Sequence, residues 1–142
     1  MTDEFNTLYE TFNEFDHDKR LSVTKEVSVN IFNALKALKF DDKRAFKFLF
    51  FVFGIFTSSY KGLSHKEFEF YSEVFSSNKS NFEDVKAAFS KFTETTKKNI
   101  FRAVRSYNDQ LKTQILLFSL GVCSCDGRIS KPEKKLIDEC FA

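Results

Sequence analysis

Residues that break helices are scarce in this chain. Its 142 residues include one proline, four glycines and no tryptophan, whereas phenylalanine occurs 20 times. Few breaks combined with much rigid apolar bulk favour long helices over many short strands, which would need frequent turns. We therefore predict an all-α chain, and its length suits a single domain that needs no disulfide or metal to stabilise its core.

An excess of charge of one sign is also lacking. The chain has 22 basic and 20 acidic residues, for a net charge of +2. This balance does not argue for a nucleic acid or an anionic membrane as partner, and no nucleic-acid binding is expected. Three cysteines near the C-terminus cannot form a disulfide framework for the whole chain, and they favour a reducing, cytoplasmic setting. They are Cys123, Cys125 and Cys140.

Long apolar runs are missing as well. The most apolar stretch, 45–56, holds 12 residues and includes Lys47, whereas about 20 apolar residues are needed to cross a bilayer. Asp3 and Glu4 lie where a signal peptide would begin its basic and apolar regions. We expect neither a transmembrane segment nor export.

Apolar side chains recur at helical spacing along most of the chain. The first such set lies three, four and three residues apart, and it comprises Phe5, Leu8, Phe12 and Phe15. Ser22, Asn81 and Asn108 precede later periodic stretches and are typical helix N-caps. We predict a single-domain bundle of about seven or eight helices over 1–142, in which 1–41 forms the N-terminal helices.

One short pattern occurs twice, 65 residues apart. It reads GLSHKE at 62–67 and GRISKPE at 127–133. In each copy glycine permits a positive φ after a helix, an aliphatic residue returns to the core, and serine with glutamate forms a capping box. We predict two pseudo-repeated helix-loop-helix units, 42–76 and 108–142. The residues to which we assign this structural role are Gly62, Ser64, Glu67, Gly127, Ser130 and Glu133.

The second loop resembles that of the TerB (tellurite-resistance) family, whose domain contains two helical units, each with the loop Asp-Gly-x-aliphatic-Ser-x-x-Glu or a version one residue shorter. Residues 125–135 read CDGRISKPEKK. The first loop departs from the pattern at Tyr60 and Lys61, where the family usually carries an acidic pair. The resemblance extends from about Asp42 onward. It implies a non-enzymatic cytoplasmic domain, connected with tellurite and other chemical stress, that acts as an interaction module and has a divalent-cation site formed by acidic residues.

Two interpretations of the second loop stand at this point. Aligned with a calcium loop, 122–133 places Asp126 at the fifth position and Glu133 at the twelfth, but Val122 replaces the first carboxylate. Either Asp126, Ser130 and Glu133 bind Ca²⁺ or another divalent cation, or Ser130 and Glu133 only cap a helix. The structural interpretation explains more of the residues and is favoured.

No other combination of reactive residues in the sequence indicates an enzyme or a catalytic residue. His17 lies among acids in a turn and His65 at a helix start, so neither suggests a nucleophile–base pair. The spacing of Cys123 and Cys125 does not fit zinc, and packing is favoured. A basic stripe is interpreted as a solvated face in preference to a surface for nucleic acid or an acidic partner. It comprises Lys98, Arg102, Arg105 and Lys112.

Two functional hypotheses follow. The favoured one is a stress-associated TerB-like domain that binds an unidentified protein through a groove between its two units. The alternative is a degenerate EF-hand-like regulator in which calcium opens a helix pair and exposes phenylalanines. No cofactor is assigned apart from the divalent cation of the second loop, and association of two copies through exposed phenylalanines is a further option.

Overall fold

The described residues form helices and connecting loops. The computed structural model describes residues 5–57 and 62–141, and within them eight helices and no strand are present. The helices are α1 (Asn6–Glu14), α2 (His17–Ala37), α3 (Asp42–Thr57), α4 (His65–Val74), α5 (Phe82–Ser90), α6 (Glu94–Ser106), α7 (Asp109–Ser124) and α8 (Lys131–Phe141). They pack as one bundle, which confirms the predicted fold class.

Two of the predicted N-caps are confirmed. Asn81 accepts a hydrogen bond from the backbone N–H of Asp84 at 2.8 Å, and Asn108 accepts one from Leu111 at 2.9 Å. Each bond satisfies a donor that a helix start leaves without an intrahelical partner. Helix α6 begins at Glu94, because the side chain of Thr93 caps it.

The start of α2 differs from the prediction. Asp16 caps this helix by accepting a hydrogen bond from the backbone N–H of Lys19 at 2.8 Å, so α2 begins at His17 and not after Ser22. The prediction that Ser22 is the cap was wrong, since it lies within the helix. An aspartate at this position satisfies a free N–H and also complements the positive end of the helix dipole.

Helices α2 and α7 pack closely in the interior. A Cβ atom at Gly121 of α7 would lie 2.0 Å from Oγ1 of Thr24 of α2, so only glycine fits there. Thr24 is fully buried, and its hydroxyl donates a hydrogen bond to the carbonyl oxygen of Arg20 at 2.7 Å. The hydroxyl of Thr24 is thus hydrogen-bonded within α2, and its side chain packs directly against the backbone of α7 at Gly121.

The phenylalanine-rich helix α3 lies in the core. Phe53 is fully buried, and its ring centroid lies 5.2 Å from that of Tyr71 and 6.4 Å from that of Phe118. Gly54 lets the rings of α5 approach, because a Cβ there would lie 2.7 Å from Phe89. Within the described parts of the chain, no helix has both the length and the apolar character required to cross a membrane.

Candidate functional site

The second loop joins α7 to α8 through the predicted turn and capping box. Gly127 has a φ of 126°, a conformation that side-chain-bearing residues rarely adopt. The backbone N–H of Ser130 donates to Oε1 of Glu133 at 2.8 Å, and the backbone N–H of Glu133 donates to Oγ of Ser130 at 3.3 Å. The predicted capping box of α8 is confirmed.

The first loop has the same local features before α4. Gly62 has a φ of 77°. The N–H of Ser64 donates to Oε1 of Glu67 at 2.8 Å, and the N–H of Glu67 donates to Oγ of Ser64 at 3.1 Å. The predicted departures from the family pattern, Tyr60 and Lys61, lie outside the described residues. The equivalence of the two whole units, 42–76 and 108–142, stays a prediction.

The two capping glutamates are buried in the same part of the molecule. Glu67 is 6% exposed and Glu133 is 8% exposed. Burial raises the pKa of Glu133 to about 7, and the negative charges of Asp126 and Glu67 contribute to that rise. Burial likewise raises the pKa of Glu67, with a contribution from Asp126. Because these charges influence one another, we call the two loops with their three carboxyl groups the paired-loop site.

The N-terminal helices contact this site, a feature that the sequence analysis missed. Oδ1 of Asn13 in α1 accepts a hydrogen bond from the backbone N–H of Ile129 at 2.8 Å. Asn13 is thus the partner of a loop N–H 116 residues away. No local pattern indicates such a pair, because a lone asparagine near a helix end serves many roles.

Arg20 is a buried cation close to the same loop. It is 6% exposed, and burial lowers its pKa, a shift that the negative charge of Asp126 opposes. Its guanidinium donates hydrogen bonds to the carbonyl oxygens of Phe12 and Phe15, both at 2.9 Å. The positive charge therefore lies between the end of α1 and the acidic second loop, where it holds α1 against α2.

The three predicted metal ligands are arranged differently from a calcium site. Ser130 and Glu133 are bonded to each other in the capping box, and Asp126 is exposed. Among the residues that the structure describes, no three histidine, cysteine, aspartate or glutamate side chains are grouped to bind a metal ion. A calcium ion needs six to eight oxygen ligands. The residues present do not fit such a site, and the predicted cation stays a prediction.

The cysteines are buried thiols. All three are free, and the thiol of Cys123 donates to the carbonyl oxygen of Phe56 at 3.8 Å. Burial raises the pKa of Cys123 and Cys125 well above the usual value, and that of Cys140 to about 12. A nucleophile or a zinc ligand must be a thiolate, whereas these groups are held as neutral thiols. Their burial fits the predicted packing role.

Both histidines are engaged on the surface. Nε2 of His17 lies 3.2 Å from Oε1 of Glu73 on α4, and the ring of His65 stacks on Phe82 at a centroid distance of 4.0 Å. Neither contact pairs an imidazole with a hydroxyl or a thiol, which is the arrangement that activates a nucleophile.

Comparison with known proteins gives no relative. No protein-family model matches the chain, and no curated protein and no solved structure matches it significantly. A functional proposal must therefore depend on the residues of the chain itself.

Proposed function

We propose that the chain is a TerB-like, non-enzymatic protein-interaction module that acts in the cytoplasm in response to tellurite or related chemical stress. The observation that supports the proposal best is the paired-loop site. Each loop combines a positive-φ glycine with a serine–glutamate capping box, and the two glutamates are buried where their charges interact. These are the elements on which the TerB resemblance depends.

An interaction role suits the way these polar groups are used. Glu67 and Glu133 each bind the backbone of their own loop, and Asn13 binds Ile129. The groups thus fix the positions of the helices and are not left free to act on a substrate. A helical body whose loops are held by such hydrogen bonds has little conformational entropy to lose on binding, which favours partner recognition.

Neither a strong calcium site nor the calcium-regulator alternative forms part of the proposal. A calcium sensor needs a loop whose carboxylates converge on the ion. Here the carboxylate of Glu133 is already bonded to the N–H of Ser130.

The stress role is tested by disrupting the gene in the native host and measuring survival on potassium tellurite and on hydrogen peroxide. We expect lower survival on at least one of them and recovery with the wild-type gene. A Gly127→Val variant, which strains the positive φ of the second loop, should restore survival poorly, whereas Lys25→Ala, on the exposed face of α2, should restore it fully. Survival equal to that of the parent strain under both agents would overturn the stress role.

A further inference from the structure

A groove lies where α3, α5, α6 and α8 meet. One end is a cavity of about 210 Å³ lined by five apolar residues together with Thr93, Glu94 and Lys97, and we call it the apolar pocket after the first group. Its apolar lining consists of Gly54, Ile55, Phe89, Phe92 and Leu136. Because α3 belongs to the first predicted unit and α8 to the second, this pocket opens between the two units.

The other end of the groove is charged. A cleft of about 390 Å³ lies between α6 and α8, with Phe101 among the lining residues, and we call it the basic cleft. Its cations are Lys97, Lys98, Arg102 and Arg105. Glu94 and Lys97 line both the pocket and the cleft, so the two cavities are continuous along α6.

Part of the positive charge in the cleft is not neutralised by the chain. Lys97 is paired, since its Nζ lies 2.7 Å from Oε1 of Glu94 and 3.3 Å from Oε2 of Glu139. Lys98 and Arg102 are exposed and form no salt bridge with any residue of 5–57 or 62–141. They lie four residues apart on α6, hence about one helical turn from each other on one face.

The two ends together define the chemistry of a ligand. The apolar pocket accommodates one large apolar side chain, and the cations beside it require carboxylates about one helical turn apart. A phosphate backbone fits less well, because it has no apolar side chain for the pocket and because the four cations of the cleft are few for a ligand that presents a long run of phosphates. A small inorganic anion would leave the apolar pocket unused.

We propose that this groove binds an acidic amphipathic segment of a partner protein. An apolar side chain of the segment enters the pocket between α3 and α8, and its carboxylates pair with Lys98 and Arg102. The inference rests on the proposed interaction function and names the chemistry of the partner. Recognition of a short helix by an apolar anchor with flanking charges is a common mode of binding.

The test uses fluorescence anisotropy with the full chain and a defined probe. The probe is a fluorescein-labelled, alanine-based helical peptide that contains one leucine and two glutamates. The first glutamate lies one helical turn after the leucine, and the second lies four positions after the first. We expect a dissociation constant of about 10–100 μM at low salt, which weakens as salt is added. Replacing the glutamates by glutamine, or the leucine by alanine, should each weaken binding at least about fivefold.

Matched protein variants locate the binding surface. Lys98→Glu with Arg102→Glu should weaken binding at least about tenfold, whereas Lys25→Glu with Lys79→Glu should change it less than about twofold. All four positions are exposed, and both pairs of substitutions alter the net charge equally. Melting temperatures within about 2 °C of wild type would show that lost binding is not unfolding.

Equal weakening by the two pairs, no effect of the peptide substitutions, or no binding at 1 mM peptide would each overturn the proposal. Displacement of the peptide by random-sequence duplex DNA at a lower concentration would also overturn it. The stress test distinguishes the two proposals: peptide binding without a survival defect contradicts the stress function alone, and a survival defect without peptide binding contradicts the groove alone.

Discussion

Burial raises the pKa of Glu133, which caps α8, and the charge of nearby Glu67, which caps α4, raises it further. The two residues are 66 positions apart in sequence and occupy the same place in their capping boxes. Each glutamate thus stabilises its own helix through hydrogen bonds, while the two charges repel each other. Burial of the Glu133 carboxyl group, with this repulsion added, makes stability depend on pH.

Protonation of Glu133 should stabilise the fold. Its pKa is raised from 4.5 to about 7, so between these values the folded state binds more protons than the unfolded state. The resulting stability is fully present below about pH 4.5 and is lost as the pH rises through about 7. Glu133→Gln keeps the capping hydrogen bonds without the charge. We expect it to melt roughly 10 °C above wild type at pH 8 and only about 2–3 °C above it at pH 5.

Thermal melts of both proteins from pH 5 to 8 check this prediction. Glu69→Gln, at an exposed position of the same helix as Glu67, is the control and should follow the wild-type curve at each pH. Parallel curves for Glu133→Gln and wild type would mean that the Glu133 carboxyl is not perturbed in solution.

The serines of the two capping boxes should contribute similarly to stability. Ser64→Ala and Ser130→Ala each remove the acceptor for the backbone N–H of a glutamate, at a cost of about 1 kcal/mol. Ser22→Ala is the matched control, because Ser22 lies exposed inside α2 and caps nothing. Urea unfolding measures the stability of all three variants. A loss of stability in Ser22→Ala as large as that in Ser130→Ala would contradict the assignment of the caps.

Local chemistry explains which parts of the structure could be predicted. The helices, the Asn81 and Asn108 caps and both capping boxes depend on residues within one or two turns, and all were predicted from sequence. Ser22 is also a typical cap residue by local chemistry, but it lies within α2, and Asp16 caps that helix.

The missed features depend on long-range packing. The bond from Ile129 to Asn13 joins opposite ends of the chain, and the burial of Arg20 requires α1, α2 and the second loop to be assembled. An arginine is mostly exposed in proteins, so its sequence position gives no sign of burial. The same holds for the charge coupling between Glu67 and Glu133, which arises only when α4 and α8 are in place.

Arg20 should be essential for holding α1 in place. Its guanidinium donates to the carbonyl oxygens of Phe12 and Phe15, so Arg20→Leu leaves these acceptors without their donor. We expect this loss to lower the free energy of unfolding by about 2–3 kcal/mol. Hydrogen exchange should then accelerate in α1 more than in α6, because the lost bonds anchor α1. Arg102→Leu, at an exposed site on α6, is the control. Unchanged exchange in α1 would show that apolar packing alone holds this helix.

Divalent cations should bind the paired-loop site weakly or not at all. Ser130 and Glu133 already bond each other, and only exposed Asp126 remains of the three predicted ligands. A site with a dissociation constant of about 10 μM would stabilise the fold by about 2.7 kcal/mol at 1 mM cation, a shift that melting curves detect easily. We expect 1 mM calcium or magnesium at pH 7.5 to move the melting temperature of the wild type by less than about 1 °C. A rise of several degrees that Asp126→Ala abolishes would instead establish the cation site, since a proton-linked or nonspecific salt effect would persist in that variant.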